Sequence, residues 1–327
     1  DTTDSKRGSP NIKMIMDVNP RPEDARNLTF SACEYTACAM TSNPLEADLL
    51  MFNGLRMEGL TLPQRPTGQI WLMYTREPPS ARKVQDLKRI DLRNQFNWSR
   101  TVLGDSTFQI VYGVIGERTA PVKDYGAIFQ RKKHVVAWFV SKCRTFSKRE
   151  DYVRRLSSYV SVHVYGLCGN RTCGSRGYEM GGSKTKCLEM ISKSYKFYLS
   201  FENSFCRDYI TEKFFAMFSD VDVIPVVRGG GDYRKLFPPG IFINSDDFPS
   251  PESLGKYLNA LARDKSAYIR MLQNKNRYTL TSGTYFSCNL CKALHLQSPQ
   301  NVYEDIYSWM LRPNNCWSPT DLPDIQN

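Results

Sequence analysis

No run in the 327 residues approaches the roughly 18 to 20 apolar side chains that a membrane-crossing helix needs. No signal-peptide pattern precedes Asp1 either, so the expectation is a soluble piece whose only link to a membrane is an N-terminal anchor outside it. Histidine is scarce. His134, His163 and His295 are far apart and have no serine or carboxylate partner at a familiar spacing, so no histidine-based catalytic or metal centre is read. Cys288-x-x-Cys291 has no second CxxC to complete a zinc site, and structural disulfides are the better reading. Internal repeats and low-complexity tracts are missing as well. Lysine and arginine number 44 against 33 acidic residues, a net charge of +11. The basic residues are scattered, with short clusters only at Arg131-Lys132-Lys133 and Arg154-Arg155, and no nucleic-acid-binding module accompanies them. Nucleic acid is therefore not an expected partner, whereas a nucleotide diphosphate explains a local positive cleft equally well.

What is present points to a two-domain α/β protein. At 41% hydrophobic residues the chain can bury a large core. Residues 1–27 read as a stem or linker remnant because their start, DTTDSKRGSPN, is polar with Gly and Pro. Ten cysteines and three N-x-S/T sites, at Asn27, Asn97 and Asn170, suggest an oxidising, glycosylating compartment. From His134 onward apolar runs alternate with amphipathic ones. Strands are expected at 135–140, 162–165, 223–227 and 241–243, and a helix capped by Ser250 with Pro251 in its first turn. Candidate strands at 12–16, 49–52, 70–74 and 108–112 give a less regular first half. The pattern is doubly wound, with domains at 28–130 and 131–327 and the boundary near Gln130.

The most informative run is YKFYLSFENSFCRDYITEKFF, Tyr195 to Phe215. Residues 197–201 suit a strand buried mainly on one face, and Ile210, Phe214 and Phe218 put an apolar stripe on a helix beginning near Tyr209. Between them lie Glu202, Asn203, Ser204, Arg207, Asp208 and Tyr209, more polar groups than a connection needs. Lys213 beside free helix N–H groups makes an anion site, most naturally for phosphate. On physics alone a capped strand-to-helix corner accounts for the run as well.

FENS, three residues, then DYITEK resembles the signature of the α1,3-fucosyltransferases, which move L-fucose from GDP-fucose onto N-acetylglucosamine. WLMYTREPP at Trp71 to Pro79, FNWS at Phe96 to Ser99, Tyr112-Gly113, Ala137 to Ser141, Pro238-Pro239, Asp246-Asp247-Phe248 and the C-terminal CxxC follow the family's order, with Pro78 where the family has serine and Lys142 where many members have asparagine. The resemblance implies a GT-B fold, two Rossmann-like domains facing across a cleft. It also implies an inverting transfer by one in-line displacement, since the donor fucose is β-linked and the product α-linked. Glu77 would be the base, Lys213 and Arg149 would balance charge on the departing diphosphate, Glu212 would hold sugar hydroxyls, and Asn203 and Tyr209 would shape the donor pocket. No metal cofactor is then required; Mn2+ or Mg2+ would at most stimulate. Asp246-Asp247 reads as a cap or nucleotide contact rather than a metal site. The resemblance further implies Cys33 and Cys38 bridged to Cys288 and Cys291, which ties the C-terminal segment to the first domain. Cys168 and Cys173 are expected to pair locally, and Cys143, Cys187, Cys206 and Cys316 are left open. The cysteine-containing loop from Gly166 to Met190 is closest to the core-type enzymes, so the expected acceptor is the asparagine-linked GlcNAc of an N-glycan, within the Golgi lumen. A Lewis-type enzyme acting on lactosamine or LacdiNAc antennae, and a catalytically silent glycan-binding protein, are the alternatives.

Overall fold

The computed structural model describes residues 11–21, 28–174, 182–281, 283, 285–297 and 302–322. Asn27 and most of the 1–27 segment lie outside them. The elements in order are β1 (Lys13–Asp17), β2 (Cys38–Met40), β3 (Leu49–Asn53), β4 (Ile70–Tyr74), β5 (Trp98–Arg100), β6 (Val114–Glu117), α1 (Tyr125–Arg131), β7 (His134–Phe139), α2 (Arg149–Leu156), β8 (Val162–Tyr165), α3 (Gly182–Ser194), β9 (Tyr195–Phe201), β10 (Phe205–Cys206), α4 (Glu212–Phe215), β11 (Ile224–Arg228), α5 (Tyr233–Leu236), β12 (Ile243–Asn244), α6 (Pro251–Arg263), α7 (Lys265–Asn276), β13 (Tyr278–Thr281), α8 (Phe286–Leu296), α9 (Ile306–Met310) and β14 (Cys316–Trp317).

The chain divides into two compact units, Asp1–Ile110 with Gly283–Arg312, and Val111–Ser282 with Pro313–Asn327. Each is built on a five-stranded, wholly parallel sheet, β2-β1-β3-β4-β5 in the first and β12-β11-β9-β7-β8 in the second. These are two Rossmann-like α/β units, the composition of the GT-B class.

The first unit differs from the sequence reading at both ends. Residues 13–17 are not stem: β1 pairs with β2 on one side and β3 on the other, and Ile15 is fully buried. On one face Ile15, Leu49, Met51 and Leu72 pack against Leu290, Ala293 and Leu294 of α8. On the other, Leu50, Phe52, Trp71 and Met73 meet Ile306 and Met310 of α9 together with Val84 and Leu87. Both faces are thus closed by helices from beyond residue 283, and disulfides Cys33–Cys288 and Cys38–Cys291 secure that return, as the resemblance implied. Residues 108–112 form no strand; they run beside β5 through the amides of Phe108 and Ile110, bonded to the carbonyls of Ser99 and Thr101.

The unit boundary falls at 110/111 rather than near Gln130. Residues 111–130 are committed to the second unit because β6 pairs antiparallel with β13 and α1 packs on α7. In this unit α2, α6 and α7 cover one sheet face, with Tyr152, Leu156, Leu254, Leu258, Tyr268 and Leu272 inward. Residues from α3, α4 and α5 cover the other. Every residue of β9 is buried, Tyr198 and Ser200 included, because this middle strand is covered on both faces, not one. The helix expected from Tyr209 is short: Thr211 caps it, α4 has four residues, and one 3₁₀ turn follows. Ser250 caps α6 with Pro251 in its first turn, as expected.

All ten cysteines are paired. The expected Cys168–Cys173 bridge is absent. Cys168, just beyond β8, reaches Cys143 beyond the neighbouring strand β7, and Cys173 reaches Cys187 on α3. The remaining pair is Cys206–Cys316.

Candidate functional site

In the second unit the chain runs from β7 outward to β8, then returns to β9 on the opposite side of β7. That reversal is where parallel sheets open a ligand crevice at their carboxyl ends, since the two connections depart in opposite directions. Arg149, Asn203, Tyr209, Glu212 and Lys213 all lie on segments that leave β7 and β9 at that edge. The sheet therefore brings together the five donor-binding residues expected from sequence.

The cluster is built around a buried acid. Glu202, the first residue after β9, is fully buried. Its carboxylate accepts from the Thr211 amide at 2.8 Å and the Thr211 hydroxyl at 2.9 Å. Lys213 Nζ lies 3.2 Å from Glu202, 3.3 Å from Glu212 and 2.8 Å from Thr211 Oγ1. Burial pushes the Glu202 carboxyl above the usual range, with Lys213 acting against it. Burial draws the Lys213 ammonium down, but Glu202 and Glu212 outweigh that, and its pKa is raised. Lys213 is thus a fixed cation. Glu202 was left out of the sequence-based site, and a glutamate ending a strand of aromatic residues was the signal for it.

Arg149 opens α2 and is buried. Its Nη1 donates to the Phe201 carbonyl at 2.6 Å, which fixes the guanidinium against the end of β9. Burial lowers its pKa, and Glu202 is the first of the groups that raise it. Arg149 Nε and Asn203 Oδ1 are buried polar atoms without a hydrogen-bond partner. Such atoms are costly unless a ligand or water completes them. Tyr209 is buried, its amide bonded to the Cys206 carbonyl. With Arg149, Lys213, Glu202 and Glu212 ionised, the four charges cancel. The short α4 adds little macrodipole, so the cluster offers fixed hydrogen-bond donors rather than the helix-end anion site read from sequence.

Beyond β11 come Gly229, Gly230 and Gly231. A Cβ on Gly230 would lie 2.4 Å from the Cys206 amide nitrogen, and one on Gly231 would lie 2.2 Å from Ile210. Only glycine allows this loop to press against residues 203–211, a role sequence reasoning missed although three consecutive glycines after a strand could have shown it. Asp246 and Asp247 form a 3₁₀ turn after β12, where the Asn244 side chain accepts from the Asp246 amide. Asp247 pairs with Arg234. The aspartates do not cap α6; Ser250 does.

Glu77 belongs to the first unit. It lies three residues beyond the carboxyl end of β4 and is partly exposed. Thr75 Oγ1 accepts from its amide at 3.1 Å, and buried Pro78 and Pro79 stiffen the following turn. Among the described residues, the one group of potential metal ligands is Cys38, Cys291 and His295, and both cysteines are in a disulfide. No helix of the described residues is long and apolar enough to cross a membrane.

A family profile described as glycosyltransferase family 10 (fucosyltransferase) C-term matches residues 129–309. The chain is 34% identical over 295 residues to alpha-(1,3)-fucosyltransferase C of Drosophila melanogaster, covering 82% of this chain and 66% of that protein. It is 31% identical over 297 residues to the same organism's glycoprotein 3-alpha-L-fucosyltransferase A, covering 87% and 56% respectively. The chain thus spans between about half and two thirds of these relatives. A crystal structure of an alpha1,3-fucosyltransferase with GDP-fucose superposes with a TM-score of 0.60 at 19% identity, covering 92% of this chain and 94% of that one. At that identity the likeness bears on the fold.

Proposed function

The chain belongs to glycosyltransferase family 10, and from that premise we propose that it transfers L-fucose from GDP-fucose, with inversion, to O3 of the asparagine-linked GlcNAc of N-glycans. The observation that carries the reading is the gathering of Arg149, Asn203, Tyr209, Glu212 and Lys213 at the strand-order reversal of the second sheet. Arg149 supplies a fixed N–H donor and Lys213 a fixed positive charge for the diphosphate, whose charge grows as the glycosidic bond breaks. The orphaned atoms of Arg149 and Asn203 are the kind a bound nucleotide sugar satisfies. Glu212 accepts from sugar hydroxyls. Glu77, beyond the end of a parallel strand, removes the proton from the acceptor hydroxyl. Fixed cations serve in place of a divalent ion, and manganese or magnesium at most assists product release.

The name of the second fly relative, a glycoprotein fucosyltransferase, supports the core acceptor. Five disulfides suit the oxidising lumen of the Golgi, where such a substrate resides. The test is fucosylation of a glycopeptide carrying both a core and lactosamine antennae, followed by an endoglycosidase that cuts between the two core GlcNAc residues. Label retained on the asparagine-linked residue supports the reading. Label on the released antenna means a Lewis-type enzyme, and no transfer with retained binding means a silent glycan-binding protein.

A further inference from the structure

After α9 the chain leaves the first unit, and residues 313–322 strap across the carboxyl edge of the second sheet. Leu322 is buried in the core of the second unit, Trp317 packs on Phe205, and polar and covalent links add to these. The β14 strand pairs antiparallel with β10, Cys206–Cys316 crosses that pair, and the Arg207 amide donates to the Asn315 carbonyl at 2.8 Å. Asp321 receives two bonds from Arg228, from Nε and Nη2, each at 2.7 Å.

Arg228 is the last residue of β11 and its side chain is wholly buried. Its guanidinium lies over the rings of Tyr152 and Phe205, 4.5 and 4.8 Å from their centroids. Its remaining nitrogen, Nη1, donates to the Ser147 carbonyl at 2.8 Å. Ser147 then bonds outward twice, from its amide to the Asn203 carbonyl at 3.1 Å and from its hydroxyl to the Glu202 carbonyl at 2.7 Å. Two residues further on is Arg149. One buried cation therefore joins the C-terminal strap to both segments that carry the donor-site side chains. Asp321 is the carboxylate hydrogen-bonded to it, and without that partner the buried cation loses its direct counter-charge, Asp246 acting on it only through space.

We propose that Asp321 is a positioning residue for the nucleotide sugar: by holding Arg228 it fixes Ser147, and through Ser147 the placement of Arg149 and Asn203. This rests on the assignment of those two residues to the donor site. Misplacement of binding groups by about an ångström costs up to a hundredfold in rate.

The experiment compares Asp321→Asn, the double variant Arg228→Met/Asp321→Leu, and Arg149→Ala in the full chain, measuring KM for GDP-fucose, KM for the acceptor, kcat and thermal midpoint. Replacing a buried pair by apolar residues of similar volume restores stability, because no charge is left buried. The double variant should regain the wild-type midpoint yet keep a GDP-fucose KM raised by about tenfold to a hundredfold, with acceptor KM unchanged. Recovery of both midpoint and KM in the double variant means that the pair only stabilises the fold, and overturns the proposal. A raised KM in Arg149→Ala beside wild-type values in both Asp321 variants overturns it too, while sparing the donor-site assignment. An unchanged KM in Arg149→Ala removes that assignment and this inference with it. If Asp321→Asn does not fold, the double variant decides alone.

Discussion

Replacing Lys213 by Met should destabilise the protein in a manner set by pH. Lys213 is the cation beside Glu202, which has no exposure to water, and methionine keeps the stem that packs there while removing the charge. Breaking a buried ion pair on one side costs about 3 to 5 kcal/mol. Glu202 keeps the two Thr211 donors and can take up a proton, which places the cost near the lower end of that range at neutral pH. The sign follows from linkage. Burial already raises the Glu202 pKa and Lys213 opposes it, so the variant raises it further. The native state then binds more protons than the unfolded chain between the unfolded carboxyl value and the raised native one, and stability falls as pH increases across that window. Because Glu202 is shifted upward in the wild type as well, the deficit relative to wild type should be smallest in acid and grow by about 1.4 kcal/mol per pH unit only between the wild-type Glu202 pKa and the variant's higher one. Chemical denaturation of both proteins from pH 5 to 8 reads it directly. A deficit independent of pH, or none at all, refutes the account of Glu202 and Lys213 as a buried pair. In the same variant, transfer should slow and GDP affinity should fall together, by about 2 to 4 kcal/mol in transition-state stabilisation.

Glu77→Gln should abolish transfer, a loss of about a hundredfold or more, while GDP-fucose still binds by calorimetry; lost donor binding with normal turnover of bound donor would remove Glu77 as the base. Exhaustive chelation should leave measurable activity if, as proposed, Arg149 and Lys213 meet the diphosphate. A metal ordered between Asp246-Asp247 and the GDP phosphates in a complex structure would contradict that.

Legibility in the sequence followed from how local each feature is. Strands β4 and β8 were read at their observed limits because apolar runs bounded by turns are a local pattern. Ser250 and Pro251 were legible for the same reason. The closure of the first unit was not. Its core is closed by α8 and α9, some 200 residues from the strands they cover, and no window of sequence contains both halves of that packing. The first strand was read to within a residue, at 12–16 against 13–17, but the polar composition around it placed it in the stem rather than in the first domain. Lys213 was singled out by its place at a helix start and Arg149 through the resemblance, and the fold puts both at the carboxyl edge of the second sheet. Glu202 was noticed in the run but kept out of the site, although its partners Thr211 and Lys213 lie in that same run; Ser147 and Arg228 were missed because each works through partners distant in sequence, residues 203 and 228 for the first and Asp321 for the second. A lone Arg after an apolar strand carries no sign that it will be buried.

On the proposed assignment, the cancelling charges bear on how the site divides its binding between substrate and transition state. A strongly positive pocket would hold GDP as tightly as the state in which GDP is leaving, and such uniform binding does not raise kcat. Arg149 is tied to the Phe201 carbonyl and Lys213 is flanked by Glu202 and Glu212, so neither presents an unopposed charge to the ground state. What they retain is direction. The guanidinium and the ammonium are held in place by these partners and need no reorganisation as negative charge moves onto the β-phosphate. The carboxylates that weaken the cluster as an anion trap are thus the groups that keep its donors fixed. Replacing Glu202 by Gln should then loosen Lys213 and lower kcat by more than it raises the KM for GDP-fucose. A variant that binds donor more tightly with kcat unchanged would show that net charge, not fixed direction, governs the site.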